Sequence, residues 1–328
     1  MNNHRGIAGK SVFSRINHMG DQELRRFIWI AGGFLVVLVV LFAGYYYLDR
    51  YVRIGGQPPA NGGISQLEQA VRDDPRAVEP RLALAQQYLT FGMYTQAIEQ
   101  AQQVLSIYPD RQDALLIAGT ALTRANRPQE AIAKLEKLVQ LLEGNQQVIN
   151  KTALEVAYYY LGQDYNALGR HDKALAALES ALKYDPTDAD ALYQAGLASQ
   201  ATRQYDKAVD FYSRAARLVP DFAEAYSGLI DSYTSLGKPD YATYARGMRA
   251  FCGADYKTAQ SHLEAAVQAL PDFALAYYGL ALTYEKLNRP GDAFQLIQSA
   301  AKLAPNNIAI QQAYGRLQNT QGVQKGQQ

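Results

Sequence analysis

The stretch AYYYLGQDYNALGRHDKALAALESALKYDP, residues 157–186, decides the fold of this chain. Apolar and small residues recur in it at spacings of three and four, which is typical of two amphipathic helices. A polar turn near His171 separates the two helices. Pro186 ends the second helix, because proline lacks the backbone N–H that a continuing helix needs. The stretch therefore predicts a helical hairpin.

The same pattern returns along the chain at a fixed period. In five places an alanine is followed twelve positions later by a proline: Ala97/Pro109, Ala174/Pro186, Ala208/Pro220, Ala259/Pro271 and Ala293/Pro305. The step from Ala131 to Ala174 is longer than the others, which places an insertion at 143–151. A fixed period of about 34 residues indicates an array of hairpins, each of which buries its apolar face against the next.

This pattern resembles the tetratricopeptide repeat, whose motif reads W-x2-L-G-x2-Y…A-x3-F…A…P. The residues of the quoted stretch that match it are Tyr158, Leu161, Gly162, Tyr165, Ala174, Leu178, Ala181 and Pro186. The resemblance covers about residues 64–319. It implies an all-α, right-handed solenoid of about six to seven repeats, each with an A helix and a B helix, that binds proteins or peptides.

The array departs from strict repetition in four places. The segment 239–252 fits either a B helix or an A helix, so we expect a half-repeat slip, with three helices where two repeats would supply four. The insertion should lengthen its flanking helices or add a loop. Residues 64–73 match only a B helix and 307–319 only an A helix, as expected for end caps. Residues 320–328 lack an apolar pattern and are expected to be disordered.

Residues 27–48 form an apolar run without a charge, long enough to cross a hydrocarbon core of about 30 Å. Trp29 lies near one end and Tyr45–Tyr47 at the other, as interfacial aromatics do. The run and the tail before it exceed a usual signal peptide, so we predict a single uncleaved transmembrane anchor. A cleaved signal ending after Ala43 is the alternative.

The basic residues predict the orientation of this anchor. Arg5, Lys10, Arg15, Arg25 and Arg26 precede the span, whereas Arg50 and Arg53 follow it. This bias places the tail 1–26 in the cytoplasm and the repeats outside it, on the far side of the cell membrane. Residues 49–63 contain a Gly- and Pro-rich stretch and are predicted to be a linker.

Composition and motifs argue against several function classes. From residue 64 onward 25 Lys and Arg stand against 28 Asp and Glu, which lacks the positive footprint of a nucleic-acid binder. Cys252 is the single cysteine, so no intrachain disulfide or C-x-x-C site exists. No histidine has another histidine or a cysteine at i+3 or i+4. We therefore expect no enzyme activity, cofactor, metal or small-molecule substrate.

The resemblance also implies which residues face the concave groove of the solenoid. These positions lie on A helices, and their tyrosine, amide and carboxylate side chains suit recognition of a peptide or a partner helix. They are Gln86, Tyr159, Gln163, Asn166, Tyr193, Gln194, Asp231 and Tyr278, with Tyr244 added if 239–252 is an A helix. Ordinary solvated surface residues are the alternative.

One branch of the family clamps terminal carboxylates with Lys, Asn and Arg in its groove. The corresponding positions here hold Leu82, Gln86, Leu116 and Thr120, which argues against that clamp. The expected function is that of a membrane-anchored scaffold or assembly factor. A permanent structural subunit of a membrane complex is the alternative.

Overall fold

A computed structural model describes residues 62–144 and 150–325, and their side chains up to residue 319. The chain divides into two compact units, 1–65 and 66–328. The described residues of the first unit are the start of α1, and the second unit contains the repeats. The predicted tail, anchor and linker, apart from the last residues of the linker, lie outside the described residues.

The described residues form fifteen α-helices and no strand. In chain order these are α1 (Gly62–Asp73), α2 (Val78–Thr90), α3 (Tyr94–Ile107), α4 (Gln112–Arg124), α5 (Pro128–Gly144), α6 (Lys151–Ala167), α7 (His171–Tyr184), α8 (Ala189–Ala201), α9 (Tyr205–Leu218), α10 (Ala223–Ser235), α11 (Pro239–Cys252), α12 (Tyr256–Ala269), α13 (Ala274–Lys286), α14 (Pro290–Leu303) and α15 (Ile308–Lys325). None of them combines the length and apolar character that a membrane span requires.

Tight turns with a residue at positive φ mark the period of the array. They follow the A helices and contain Gly92, Asn126, Gly169, Arg203, Gly237, Ala254 and Asn288. In each turn the helix ends with a left-handed residue whose neighbours return hydrogen bonds to the last carbonyls, as Arg127 N does to Leu122 O at 2.9 Å. Successive turns are one full period apart except at the insertion and at the slip. The turns therefore recur with the period of about 34 residues that the sequence contains.

The insertion lengthens the helices that flank it. Helices α5 and α6 have 17 residues each, whereas the other helices from α2 to α14 have 13 or 14. Asn150 caps the start of α6 by accepting a hydrogen bond from Ala153 N at 3.1 Å. Residues 145–149 lie outside the described part.

Helix α11 lies where the sequence pattern shifts by half a repeat. It packs against α10 in front of it and α12 behind it, and positive-φ turns precede and follow it. Ala242, one period after Ala208, is fully buried, as the B-helix pattern requires. A Cβ on Gly247 would meet Leu263 Cγ at 2.6 Å, which matches the A-helix contact of Gly162 with Leu178. One helix therefore serves as the B helix of one hairpin and the A helix of the next.

A recurring hydrogen bond ties three of the hairpins to the B helix before them. A tyrosine late in an A helix donates to a residue 20 positions earlier: Tyr88 to Glu68 at 2.7 Å and Tyr284 to Glu264 at 2.5 Å. Tyr165 makes the same bond to Glu136 across the insertion. Because Glu68 lies on α1, α1 stands in the place of a B helix.

The last helix, α15, caps the other end. It packs on α14, where the rings of Phe294 and Tyr314 stack with centroids 5.8 Å apart. It runs to Lys325, beyond the boundary at residue 319 expected from the sequence, so the segment 320–325 expected to be disordered continues the helix. Residues 326–328 lie outside the described part.

Candidate functional site

The A helices form one continuous layer of the array. Helices α2, α4, α6, α8 and α10 contact one another in that order, and α11 contacts α13 in the same way. Successive B helices among the described residues make no comparable contact. Because the A helices lie closer together than the B helices, the array curves toward the A layer, which forms its concave face.

A cleft of about 480 Å³ opens on this face between α2, α4 and α6. The residues that line it include the polar residues Gln86, Thr120 and Arg124 and the aromatic residues Tyr94 and Tyr160. The cleft is large enough for part of an extended peptide, and it combines apolar surface with a few hydrogen-bonding groups. Of the residues predicted for the groove, Gln86 is the one that lines it.

The guanidinium group of Arg124 lies over the Tyr160 ring, with Cζ 5.7 Å from the ring centroid, and its Nη2 donates to the Tyr160 hydroxyl at 3.2 Å. This bond raises the pKa of Arg124. The rings of Tyr160 and Tyr159 meet edge to face at 5.0 Å. Tyr159, a predicted groove residue, is half-buried, and burial raises its pKa to about 12.

Asn166 and Gln194, two other predicted groove residues, bind each other. Asn166 Nδ2 donates to the Gln194 backbone oxygen at 3.0 Å and to Gln194 Oε1 at 3.1 Å. The Asn166 Oδ1 atom lies 3.2 Å from His171 Nδ1. These contacts join α6 to α8, so the pair helps to set the spacing of two repeats. Gln163, one turn before Asn166, is half-buried.

The remaining predicted positions lie farther along the array. Tyr193 is half-buried between the rings of Phe222, at 5.1 Å, and Tyr212, at 5.8 Å. Asp231 is exposed on α10. Tyr278, on α13, is half-buried, and burial raises its pKa. The structure thus distributes the predicted residues along the concave layer and does not gather them into one pocket.

Tyr244 is buried and does not face the groove. The A-helix interpretation of 239–252 predicts it there, but the side chain is 6% exposed. Its ring meets Phe273 edge to face at 4.9 Å. Helix α10 packs against α11 as its hairpin partner and Phe273 lies against the ring, so the position that faces the groove in a regular A helix is covered here.

Sequence reasoning missed Arg124, Tyr160 and Tyr94 as cleft residues. Arg124 is in the last turn of α4 and Tyr160 is near the middle of α6, outside the small set of positions that the motif assigns to the groove. Tyr94 belongs to a B helix but lies at its first residue, beside the turn. The available signal was a basic residue at the end of one A helix and a run of tyrosines on the next.

The described residues contain no group of three or more His, Cys, Asp or Glu side chains placed to hold a metal ion. One buried acid is unusual: Asp164 on α6 is 2% exposed and accepts a hydrogen bond from Thr123 Oγ1 at 2.7 Å. Burial raises its pKa to about 7, against the opposing effect of the threonine. The cleft itself offers a ligand hydrogen-bonding groups, aromatic rings and one arginine.

Two family models described as Tetratricopeptide repeat match residues 82–145, 165–231 and 254–317, more than half of the chain. The chain belongs to the tetratricopeptide repeat family. The boundary between the last two matches falls in the region of α11, where the helix pattern shifts by half a repeat.

Curated relatives are similar to this chain over a limited part of their own length. The chain is 26% identical over 198 residues to Protein O-mannosyl-transferase TMTC1 of Homo sapiens, covering 59% of this chain and 20% of that protein. It is 25% identical over 182 residues to BBSome complex member BBS4 of Bos taurus, covering 56% and 33%. The chain thus spans between a fifth and a third of these relatives.

Solved structures of repeat proteins are similar to part of this chain. A crystal structure of MamA protein is 26% identical, with a TM-score of 0.48, and the match covers 55% of this chain and 93% of that one. The Cut9 and Hcn1 hetero-tetramer of APC/C is 18% identical, with a TM-score of 0.44, covering 79% and 46%.

Proposed function

We propose that this chain is a membrane-anchored scaffold or assembly factor that binds a protein or peptide partner along its A layer. The observation that carries this proposal is the cleft between α2, α4 and α6, where Gln86, Thr120 and Arg124 supply polar groups beside two tyrosine rings. Tetratricopeptide repeat proteins mediate protein–protein interaction and assembly, which is consistent with such a cleft. The proposed activity is binding and not catalysis.

Site-specific photo-crosslinking tests where the partner binds. The full-length chain carries p-benzoyl-phenylalanine at Gln86 or Gln163 on the A layer, and at Gln102, an exposed residue of B helix α3, as the matched control. We expect the same crosslinked partner from both A-layer positions and none from Gln102. Crosslinks from Gln102 alone would move the partner site to the B-helix face and refute the proposed groove.

The proposed anchor is the apolar segment 27–48, with the repeats on the extracytoplasmic side. The charge bias of the flanking residues supports this orientation. Deleting 27–48 should move the protein from the membrane fraction to the soluble fraction. Protease added to intact spheroplasts should digest the repeats, whereas their protection would show that they face the cytoplasm.

The amount of partner recovered separates two forms of this function. A permanent structural subunit co-purifies with its partners from detergent extracts in a fixed stoichiometry. An assembly factor recovers its partners in smaller and variable amounts. Quantitative mass spectrometry of the proteins that co-purify with the full-length chain distinguishes these outcomes.

A further inference from the structure

Arg124 places one positive charge in the cleft between α2, α4 and α6. The residue belongs to the last turn of α4 and its side chain is exposed, while its guanidinium group is held over the Tyr160 ring. Contact with the ring and a single hydrogen bond to the Tyr160 hydroxyl leave most of its five N–H donors available to a ligand.

No carboxylate neutralises this charge among the described residues. None of the ion pairs among the described residues includes Arg124. By contrast, the arginines that precede and follow it in the sequence are both paired with carboxylates. Arg111 pairs with Glu79 and Asp113, each at 2.8 Å, and Arg127 pairs with Glu130 at 2.7 Å. The cleft is therefore positively charged, although the chain as a whole is nearly neutral.

Polar groups that accompany Arg124 suit a peptide backbone. Gln86 and Thr120 line the same cleft, and an amide and a hydroxyl can each exchange hydrogen bonds with peptide groups. The tyrosine rings of Tyr94 and Tyr160 offer flat apolar surface to the neighbouring side chains of a ligand.

We propose that this cleft binds an extended segment of a partner protein through an aspartate or glutamate side chain, which pairs with Arg124. The planar guanidinium group matches a carboxylate with two parallel N–H···O bonds. A side chain fits better than a chain terminus, because the cleft lies along three successive A helices and a ligand that follows them continues past it. This inference rests on the proposed binding function and names the chemistry of the ligand.

A peptide library tests the proposal on the full-length chain purified in detergent. The probe is a set of N-acetylated, C-amidated nonapeptides with one fixed position and the others randomised, so that the terminal charges are absent. Bound peptides are eluted and sequenced. The variants are Arg124→Gln, Arg124→Lys and, as the matched control, Arg127→Gln, which removes a paired charge in the turn that follows.

We expect the wild-type chain and Arg127→Gln to enrich Asp or Glu at one position, and Arg124→Gln to lose that enrichment. For one selected peptide, Arg124→Gln should weaken binding by about tenfold or more, as loss of a charge-assisted bond does. Arg124→Lys should keep part of the preference, since the charge remains but the two-donor geometry does not.

Three results would overturn the inference. Peptide enrichment without an acidic preference would leave the groove function intact and refute the role of Arg124. A preference for free C-terminal carboxylates, in a second library with that terminus unblocked and no acidic side chains, would assign the cleft to a chain end. Absence of any bound peptide, with crosslinks confined to the B-helix face, would refute the groove function as well.

Discussion

The ring of Tyr212 fills the space that a side chain on Gly196 would need. A Cβ placed on Gly196 would lie 2.5 Å from Tyr212 Cε1, well inside van der Waals contact. Tyr212 is fully buried, and a Cβ on Gly228, in the next A helix, would lie 2.4 Å from Cε2 of the same ring. Gly196 and Gly228 therefore allow two successive A helices to pack closely against one tyrosine of a B helix.

Gly196→Ala should destabilise the chain by about 1–3 kcal/mol, because the added methyl group overpacks against the Tyr212 ring. Gly315→Ala is the matched control: it also lies inside a helix, and a Cβ there meets nothing within 4 Å. That control should stabilise by up to about 1 kcal/mol through helix propensity. Thermal unfolding measures both, and equal effects would contradict the close approach.

Ala254→Gly should stabilise the chain by about 1 kcal/mol, because Ala254 holds a left-handed conformation that is costly for a residue with a Cβ and free for glycine. Its φ is 58°. Ala250→Gly, inside α11, should destabilise by a similar amount because glycine is a poor helix former. Urea titration measures the free energy of unfolding of the two variants. Destabilisation by both substitutions would contradict the turn geometry.

Asp164 should make stability fall as pH rises. Its pKa of about 7 in the folded chain exceeds the ordinary value near 4, so folding binds a proton between these values. The stabilisation that comes from protonating Asp164 in the folded chain is complete below about pH 4, and it is lost as pH rises through 7. At about 1.4 kcal/mol per pKa unit the change approaches about 4 kcal/mol. The free energy of unfolding, measured across this pH range, tests the prediction.

Asp164→Asn should remove this slope and make the chain more stable than wild type above neutral pH, because the neutral amide can still accept the bond from Thr123. Asp255→Asn is the control, because the contribution of Asp255 to stability should change with pH in the opposite direction. Hydrogen bonds from the side chain and the backbone N–H of Thr258, the latter at 3.2 Å, lower the pKa of Asp255, so its contribution to stability is lost as pH falls. An unchanged slope in Asp164→Asn would assign the pH dependence to another group.

Deleting residues 1–51 should leave a soluble, monomeric, helical domain. Residues 66–328 form a compact unit of their own. At the end of the array the single helix α15 packs on α14. Circular dichroism and light scattering measure helicity and mass. Aggregation with loss of helical signal would show that the repeats depend on the deleted segment.

The order of the helices could be predicted from the sequence because the array has one short period. Small residues at helix contacts, prolines after B helices and the insertion each leave a mark in the linear pattern. The slip at α11 was also visible, because Ala242 and Gly247 satisfy the B-helix and the A-helix pattern respectively.

The cleft could not be predicted in the same way, because its shape depends on how three helices approach one another. The repeat pattern places Tyr193 and Tyr159 on the concave side, but neighbouring rings and helices cover much of each. Arg124 has no assigned place in the motif, and its unpaired charge is apparent only when the partners of Arg111 and Arg127 are known.

The double role of α11 bears on how this chain arose. Duplication of a whole hairpin adds one full period and leaves every later helix in the same role. The helices after α11 are displaced by half a period, which no number of whole duplications produces. The gene therefore gained or lost a single helix, or two arrays were joined within one helix. Tandem duplication of whole hairpins can account only for the repeats on each side of α11.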